Sequence, residues 1–354
     1  MSQPWIFMGI DRSHFSAKLR PAIRYKKIHC VEYPPDPKEI QKRTGIGFIP
    51  ILISPEDETF QDTTDIIDVL ETRFPEPALI PHNPVDLALC RLFELYADEF
   101  FPMVSMRTRW AFDDNEQEMR RAFAAFSGST DRGNAVADLM SSYLPMLGVT
   151  QTTIPVIDAH AEDLLTTLSR HLSAHPFLLG ERMSLADCAL MGPLYAHLYL
   201  DRVTRRQLYD TAIEVCMWIE RCNRPVPEAM GDWFEGDYPA TLNAVLDLIG
   251  QDAVPMLTDQ CRGFCTWAET SGTDEELPRG VGSYQTRLRN IPVEAGIRSY
   301  VSWKMQRLQD VFTNSSPDEQ SRISKVFTRN HCDGILSLAE IPRLTKNNFQ
   351  LVFE

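Results

Sequence analysis

The sequence predicts an α/β plus all-α fold class: a small α/β unit, then an all-helical unit, then a further, mostly helical stretch. Three observations predict it. Strand-like and helix-like patterns alternate over residues 1–80. Beyond the proline-rich segment PEPALIPHNPVD (75–86) the strand patterns vanish and long helical periodicities replace them. A second proline-rich break, RPVPEAMGDWFEGDYP (224–239), precedes a region of changed character. The expected units are therefore residues 1–80, 84–224 and 225–354, and a chain of 354 residues is long enough for more than one domain.

Each element has a local reason. WIFMGI (5–10) is a short apolar run suited to a buried strand. Residues 13–28 form a basic amphipathic helix, with Pro21 expected to kink it. HCVEYP (29–34) reads as a second strand halted by Pro34 and Pro35, and DPKEIQKRTG (36–45) as a short helix with Gly45 just past its end. PILIS (50–54) and TFQ (59–61) supply a third strand and the stub of a fourth. DTTDIIDVLETRF (62–74) is a helix opened by Asp and Thr, with Ile66, Ile67, Leu70 and Phe74 at helical spacing. Helical periods then cover Val85–Trp110, Glu116–Phe126, Ile154–Ala174, Ser184–Leu200 and Arg205–Arg221, with a polar insert at SGSTDRGN (127–134). The last region carries helices, a glycine-rich loop at LPRGVGSY (277–284) and a terminal strand in FQLVFE (349–354). Its amphipathic segment Ile297–Phe312 is expected to pack on the helical unit, with covering a cleft or meeting a second copy as alternatives.

The bulk numbers exclude several function classes. A formal net charge of −14 argues against nucleic acid or an anionic membrane as the main partner. The short basic cluster Lys18, Arg20, Arg24, Lys26 and Lys27 reads as a solvated helix face. MSQPWIFMGIDR lacks a signal-peptide pattern, and the longest apolar stretch, Cys188–Leu200, is too short to span a bilayer. A cytoplasmic protein with eight reduced cysteines is expected. No metal is expected. Cys261 and Cys265 lack a second ligand pair, and residues 329–340 place Arg329 and His331 where a calcium loop needs oxygen ligands.

Four segments carry a resemblance to a known family. SHFSAKLR (13–20) follows the first strand, GFIPIL (47–52) leads into the third, QDTTDIIDVLE (61–71) opens the third helix, and PFLLGERMSLADCALMGPLYAHL (176–198) lies in the helical unit. In order and spacing they resemble the cytosolic glutathione transferase superfamily over about residues 1–222. The resemblance implies a thioredoxin-like N-terminal domain that binds glutathione as co-substrate, an all-helical second domain and a homodimer. It implies a cis Ile49–Pro50 bond, with the N–H and C=O of Ile49 pairing with the cysteinyl backbone of the tripeptide. Thr63 would hold the γ-glutamyl carboxylate at a helix N-terminus, and Asp62 the γ-glutamyl amino group. Ser13, or alternatively Ser16 one turn on, would stabilise the thiolate. The acceptor would be a hydrophobic electrophile in an interdomain cleft, with Met106, Arg107 and Trp110 as candidate contacts and Arg109 as an alternative to Arg107. His14 reads as a lone surface histidine, and Asp65 has no role in this scheme. The segment SLAD (184–187) reads as a structural cap, not as catalytic machinery. The absence of a Cys-x-x-Cys pair disfavours disulfide exchange, and Cys30 is expected to be an inert strand thiol. The alternative function is a non-catalytic binding or regulatory protein on the same fold.

Overall fold

The computed structural model describes residues 3–271, 277–338 and 341–354. The N-terminal domain runs β1 (Trp5–Met8), α1 (His14–Tyr25), β2 (Cys30–Tyr33), α2 (Pro37–Thr44), β3 (Ile51–Ile53), β4 (Thr59–Gln61) and α3 (Thr63–Arg73). The sheet order is β2-β1-β3-β4, with β1 and β2 parallel and the other pairs antiparallel. This is the thioredoxin-like arrangement. Strand alternation sorts its residues. Trp5 and Phe7 join α1 and α3 residues Leu19, Ile23, Ile66 and Leu70 in the main core. Ile6 and Met8 point the other way, onto Ile40 of α2 with Ile51 and Ile53. Gly45 ends α2 at φ 70, a left-handed turn that glycine adopts freely.

α1 does not break at Pro21 but continues to Tyr25. Its buried residues Leu19, Ala22 and Ile23 belong to the main core, and that packing offsets the hydrogen bond proline cannot donate.

The helical part comprises α4 (Pro84–Leu95), α5 (Pro102–Trp110), α6 (Asp113–Ser127), α7 (Thr130–Ser141), α8 (Ile154–Leu172), α9 (Leu185–Pro193), α10 (Arg202–Thr211) and α11 (Ile213–Asn223). The helix expected over Val85–Trp110 is interrupted by a π-helical turn, Tyr96–Phe100, and the one over Ser184–Leu200 by another, Leu194–Tyr199. The span Arg205–Arg221 divides at Ala212. The polar insert at 127–134 is mostly helix: Ser129 caps α7 by accepting from the N–H of Arg132. Gly133 lies so close to α6 that a Cβ there would fall 2.4 Å from the Ala124 nitrogen.

Beyond residue 239 come α12 (Ala240–Ser271), β5 (Gly280–Leu288), β6 (Ile291–Arg298), α13 (Ser299–Asn314), α14 (Pro317–Arg329), β7 (Leu344–Asn347) and β8 (Gln350–Phe353). The segment LPRGVGSY largely enters strand β5, where the β5–β6 register shifts between Gly280 and Ser283. β7 and β8 form a second antiparallel hairpin. α12 lies along α8, and α13 packs against both α4 and α12. Two residues of the 329–340 segment, Ala339 and Glu340, lie outside the described residues. Among the described residues no helix is long and apolar enough to cross a membrane, and no group of three or more His, Cys, Asp or Glu is placed to hold a metal.

Candidate functional site

The turn from β1 into α1 builds the first corner. Ser13 is the N-cap of α1, in extended backbone conformation, and its Oγ accepts from the Ser16 N–H at 3.3 Å. That bond uses an acceptor lone pair and leaves the Ser13 hydroxyl proton available. Ser16 is fully buried and its Oγ accepts from the Ile10 N–H at 3.3 Å. A Cβ at Gly9 would lie 2.7 Å from that oxygen, so a glycine is needed where the chain crosses it. Of the two serines, Ser13 is the half-exposed one.

The second corner is the Ile49–Pro50 bond, which is cis and leads directly into β3. Ile49 is half-buried and Pro50 buried. The third corner is the head of α3. Asp62 sits at φ 70, a left-handed conformation uncommon for a non-glycine residue, and its carboxylate accepts from the Thr64 N–H at 2.9 Å. Thr63 is 2% exposed, and its hydroxyl has no hydrogen-bond partner among the described residues.

Behind these corners lies a buried ionic layer that sequence reading missed. Lys18 of α1 is fully buried, not solvated, and its Nζ meets Glu94 Oε1 at 2.7 Å and Asp98 Oδ2 at 2.5 Å. Lys304 of α13 reaches the same Asp98 oxygen and Thr64 Oγ1, both at 2.6 Å. Arg91 bridges Glu94 and Asp68, each at 2.8 Å, and Arg307 also pairs with Asp68. Lys346 of β7 stands 3.1 Å from Asp62 and 2.5 Å from Asp65. Five cations (Lys18, Arg91, Lys304, Arg307, Lys346) thus face five carboxylates (Asp62, Asp65, Asp68, Glu94, Asp98). Lys18, Lys304, Glu94 and Asp98 are buried while Asp62, Asp65 and Asp68 are partly exposed, and the layer is tolerated because each charge has a close opposite partner.

The electrostatics follow from these contacts. Burial opposes ionisation of Glu94, Asp98 and Asp62, yet neighbouring lysines outweigh it and hold all three below the usual carboxylate range. For Lys304, burial works against the charge and Asp98, Glu94 and Asp62 reverse it, so its ammonium is held well above the ordinary lysine value. His14 is buried, not on the surface, with its Nε2 3.4 Å from Asp98 Oδ1; burial lowers its pKa despite that carboxylate. Arg20 and Lys26 of the same basic cluster are also buried, paired with Glu32 and Glu71.

The proposed acceptor contacts all lie on α5, Met106 half-buried and Arg107 and Trp110 buried. Arg107 pairs with Asp158 at 2.8 Å and lies over the Phe112 ring, while Trp110 stacks on Phe123 in a small cluster with Met119, against which Met106 packs. The Nε and Nη1 of Arg107 and the Nε1 of Trp110 are buried without partners among the described residues. Arg109 reaches the N-terminal domain, donating to the carbonyl of Arg12 at 2.9 Å. Its remaining bonds go to Asp201 and the carbonyl of Ala196. Cys30 lies in β2, and burial followed by Glu32 pushes its thiol up to about 12.

One signal for the missed layer was present. In CRLFELYADEFF (90–101), Glu94 and Asp98 stand four residues apart among Leu92, Phe93, Leu95, Tyr96, Ala97, Phe100 and Phe101. Carboxylates so placed need buried cations, and Lys18 and Lys304 are those cations.

Residues 7–78 match the family model for the glutathione S-transferase N-terminal domain. No curated protein matches the chain. Among solved structures, the β-etherase LigF from Sphingobium sp. strain SYK-6 is 21% identical with a TM-score of 0.46, covering 63% of this chain and 96% of that one. A glutathione S-transferase from Sinorhizobium meliloti 1021 is 16% identical with a TM-score of 0.45, covering 63% and 91%. Rice GST1, solved in complex with glutathione, is 18% identical with a TM-score of 0.42, covering 64% and 90%. The match thus falls on the mixed sheet and its helices, and residues 7–78 form a glutathione S-transferase N-terminal domain followed by helices.

Proposed function

We propose that the chain binds glutathione across the corners formed by Ser13, Ile49–Pro50, Asp62 and Thr63, and acts as a glutathione transferase on a hydrophobic electrophile. The observation that carries this reading is the Ser13 hydroxyl, held at the head of α1 with its proton uncommitted. As the glutathione thiol releases its proton to water, the Ser13 hydroxyl donates a hydrogen bond to the sulfur and stabilises the thiolate, and the helix N-terminus adds partial positive charge. The sulfur lone pair then forms the bond to the electrophilic carbon, and the leaving group departs with the electrons of its broken bond. Met106, Arg107 and Trp110 are the acceptor contacts of this reading, supported by donors of the last two that have no partner among the described residues. The same reading carries a cytoplasmic homodimer without a nucleic-acid or membrane partner.

A second reading, a glutathione-binding protein without turnover, is favoured by one feature. α13 is seated on α4 and the head of α3, with Trp303 buried and Lys304 bonded to Thr64. Calorimetric binding of glutathione and turnover of a chloronitrobenzene, measured on wild type and Ser13→Ala, separate the two. Retained binding with turnover lost in Ser13→Ala is the transferase result. Binding without turnover in wild type leaves the second reading standing alone.

A further inference from the structure

The Lys346 ammonium has four neighbours drawn from two distant parts of the chain. Two are carboxylates at the head of α3, Asp62 at 3.1 Å and Asp65 at 2.5 Å. Two are aromatic faces of α13: the Trp303 ring centroid lies 3.9 Å from the nitrogen and that of Tyr300 5.5 Å. Tyr300 and Trp303 meet edge to face, so the two rings form a corner and not a flat wall. Carboxylates on one side and aromatic faces on the other make an environment selective for a cation carrying several donors. Lys346 is held there from outside the domain, on the β7–β8 hairpin. That hairpin is tied down by two hydrogen bonds between Gln306 and the backbone of Leu344, and by buried Leu344 and Leu351.

Two observations mark this as a ligand site and not merely a surface ion pair. Thr63, between the two carboxylates in sequence, is 2% exposed and its hydroxyl has no partner among the described residues, a donor left unused at the head of α3. Asp62 is held in a left-handed conformation that costs free energy without any glycine to ease it. Asp65, for which sequence reasoning had no role, is the carboxylate nearest the ammonium.

We propose that Asp62, Asp65, Tyr300 and Trp303 form a cage for a primary ammonium, filled by Lys346 in the closed chain and by the amino group of a γ-glutamyl ligand when the hairpin lifts. The cage rests on the glutathione-site reading above and adds to it three residues and an internal competitor. An internal occupant lowers apparent affinity by the fraction of time it fills the site, so its removal raises affinity without any new contact.

The test uses the full chain and two probes, glutathione and its deamino analogue glutaryl-cysteinylglycine, which lacks only the ammonium. Lys346→Met should bind glutathione about tenfold more tightly than wild type, with little gain for the deamino analogue. In wild type, saturating glutathione should speed amide hydrogen exchange across Leu344–Phe353; this readout needs no variant and so is immune to misfolding of Lys346→Met. Equal glutathione affinity in wild type and Lys346→Met, with hairpin exchange unchanged by ligand, overturns the cage while the glutathione site stands. An equal gain for both probes also overturns it, because the hairpin then acts by bulk and not by its ammonium. Failure of wild type and variant alike to bind glutathione removes both the cage and the reading beneath it.

Discussion

Replacing Lys304 with methionine isolates the role of the buried ionic layer. Lys304 is 4% exposed, and its ammonium lies 2.6 Å from both Asp98 Oδ2 and Thr64 Oγ1. Methionine keeps the length and apolar stem of the side chain and deletes the charge. Breaking a buried pair by removing one member costs about 3–5 kcal/mol, because the remaining charge stays dehydrated. Asp98 retains Lys18 at 2.5 Å, which places the expectation near the lower end, about 3 kcal/mol. Both members are charged across the neutral range. The Asp98 pKa is depressed, so its contribution is lost only as pH falls below the ordinary carboxylate value. The Lys304 pKa is raised, so its contribution is lost only as pH rises past the ordinary lysine value. The cost should therefore be the same at pH 6 and pH 8. The assay is urea unfolding followed by tryptophan emission on wild type, Lys304→Met, Asp98→Asn and the double variant. The double variant should lose less than the sum of the single losses by about 2 kcal/mol, since neither charge is then left alone. A Lys304→Met loss below about 1 kcal/mol, or strict additivity, would refute the view that the pair acts as a unit.

Two further outcomes are expected. Asp187 is fully buried and accepts four hydrogen bonds, from the Leu178 N–H, the Ser184 N–H and Oγ–H, and Trp218 Nε1. Asp187→Ala should therefore cost about 3–5 kcal/mol, more than the roughly 1 kcal/mol of a lost cap, read as a drop in urea midpoint with unchanged slope. His171 is fully buried, with Nε2 on the Leu178 carbonyl and Nδ1 on Thr241 Oγ1, each at 3.0 Å, and burial, then His175, lowers its pKa to about 4. The unfolded state takes up the proton first as pH falls, so this contribution is present above about 6.5 and lost toward 4. His171→Gln should flatten the pH dependence of stability between pH 7 and pH 5 by about 2 kcal/mol; an unchanged slope would mean the imidazole titrates normally in the fold.

The parts of the fold that were legible in the sequence are those set by neighbours along the chain. The helix opening at Asp62, the Ser184–Asp187 cap and a C-terminal Gly45 each act within a few residues, and each stands where the pattern placed it. Misreadings arose where a distant partner decides. Gly133 looked like a loop residue, but its lack of a side chain lets α7 pack against α6. The helical period through Val85–Trp110 gave no sign of the π turn, which carries both Asp98, facing the lysines, and Glu99, facing Arg298. Lys18 belongs to a basic run that a local rule assigns to water. Only Glu94 and Asp98, with Lys304 beyond them, explain why its ammonium is buried. The same holds for Asp65, whose partner Lys346 lies 281 positions away.

That separation has a consequence for how the chain is made. Asp98 leaves the ribosome 206 residues before Lys304, an interval of roughly 10–40 s at common elongation rates. Throughout it, the newborn carboxylates have Lys18 but not the counter-charge that finishes their dehydration. The first half of the polypeptide must stay hydrated along this seam while the rest is translated, and final consolidation waits for α13 to arrive.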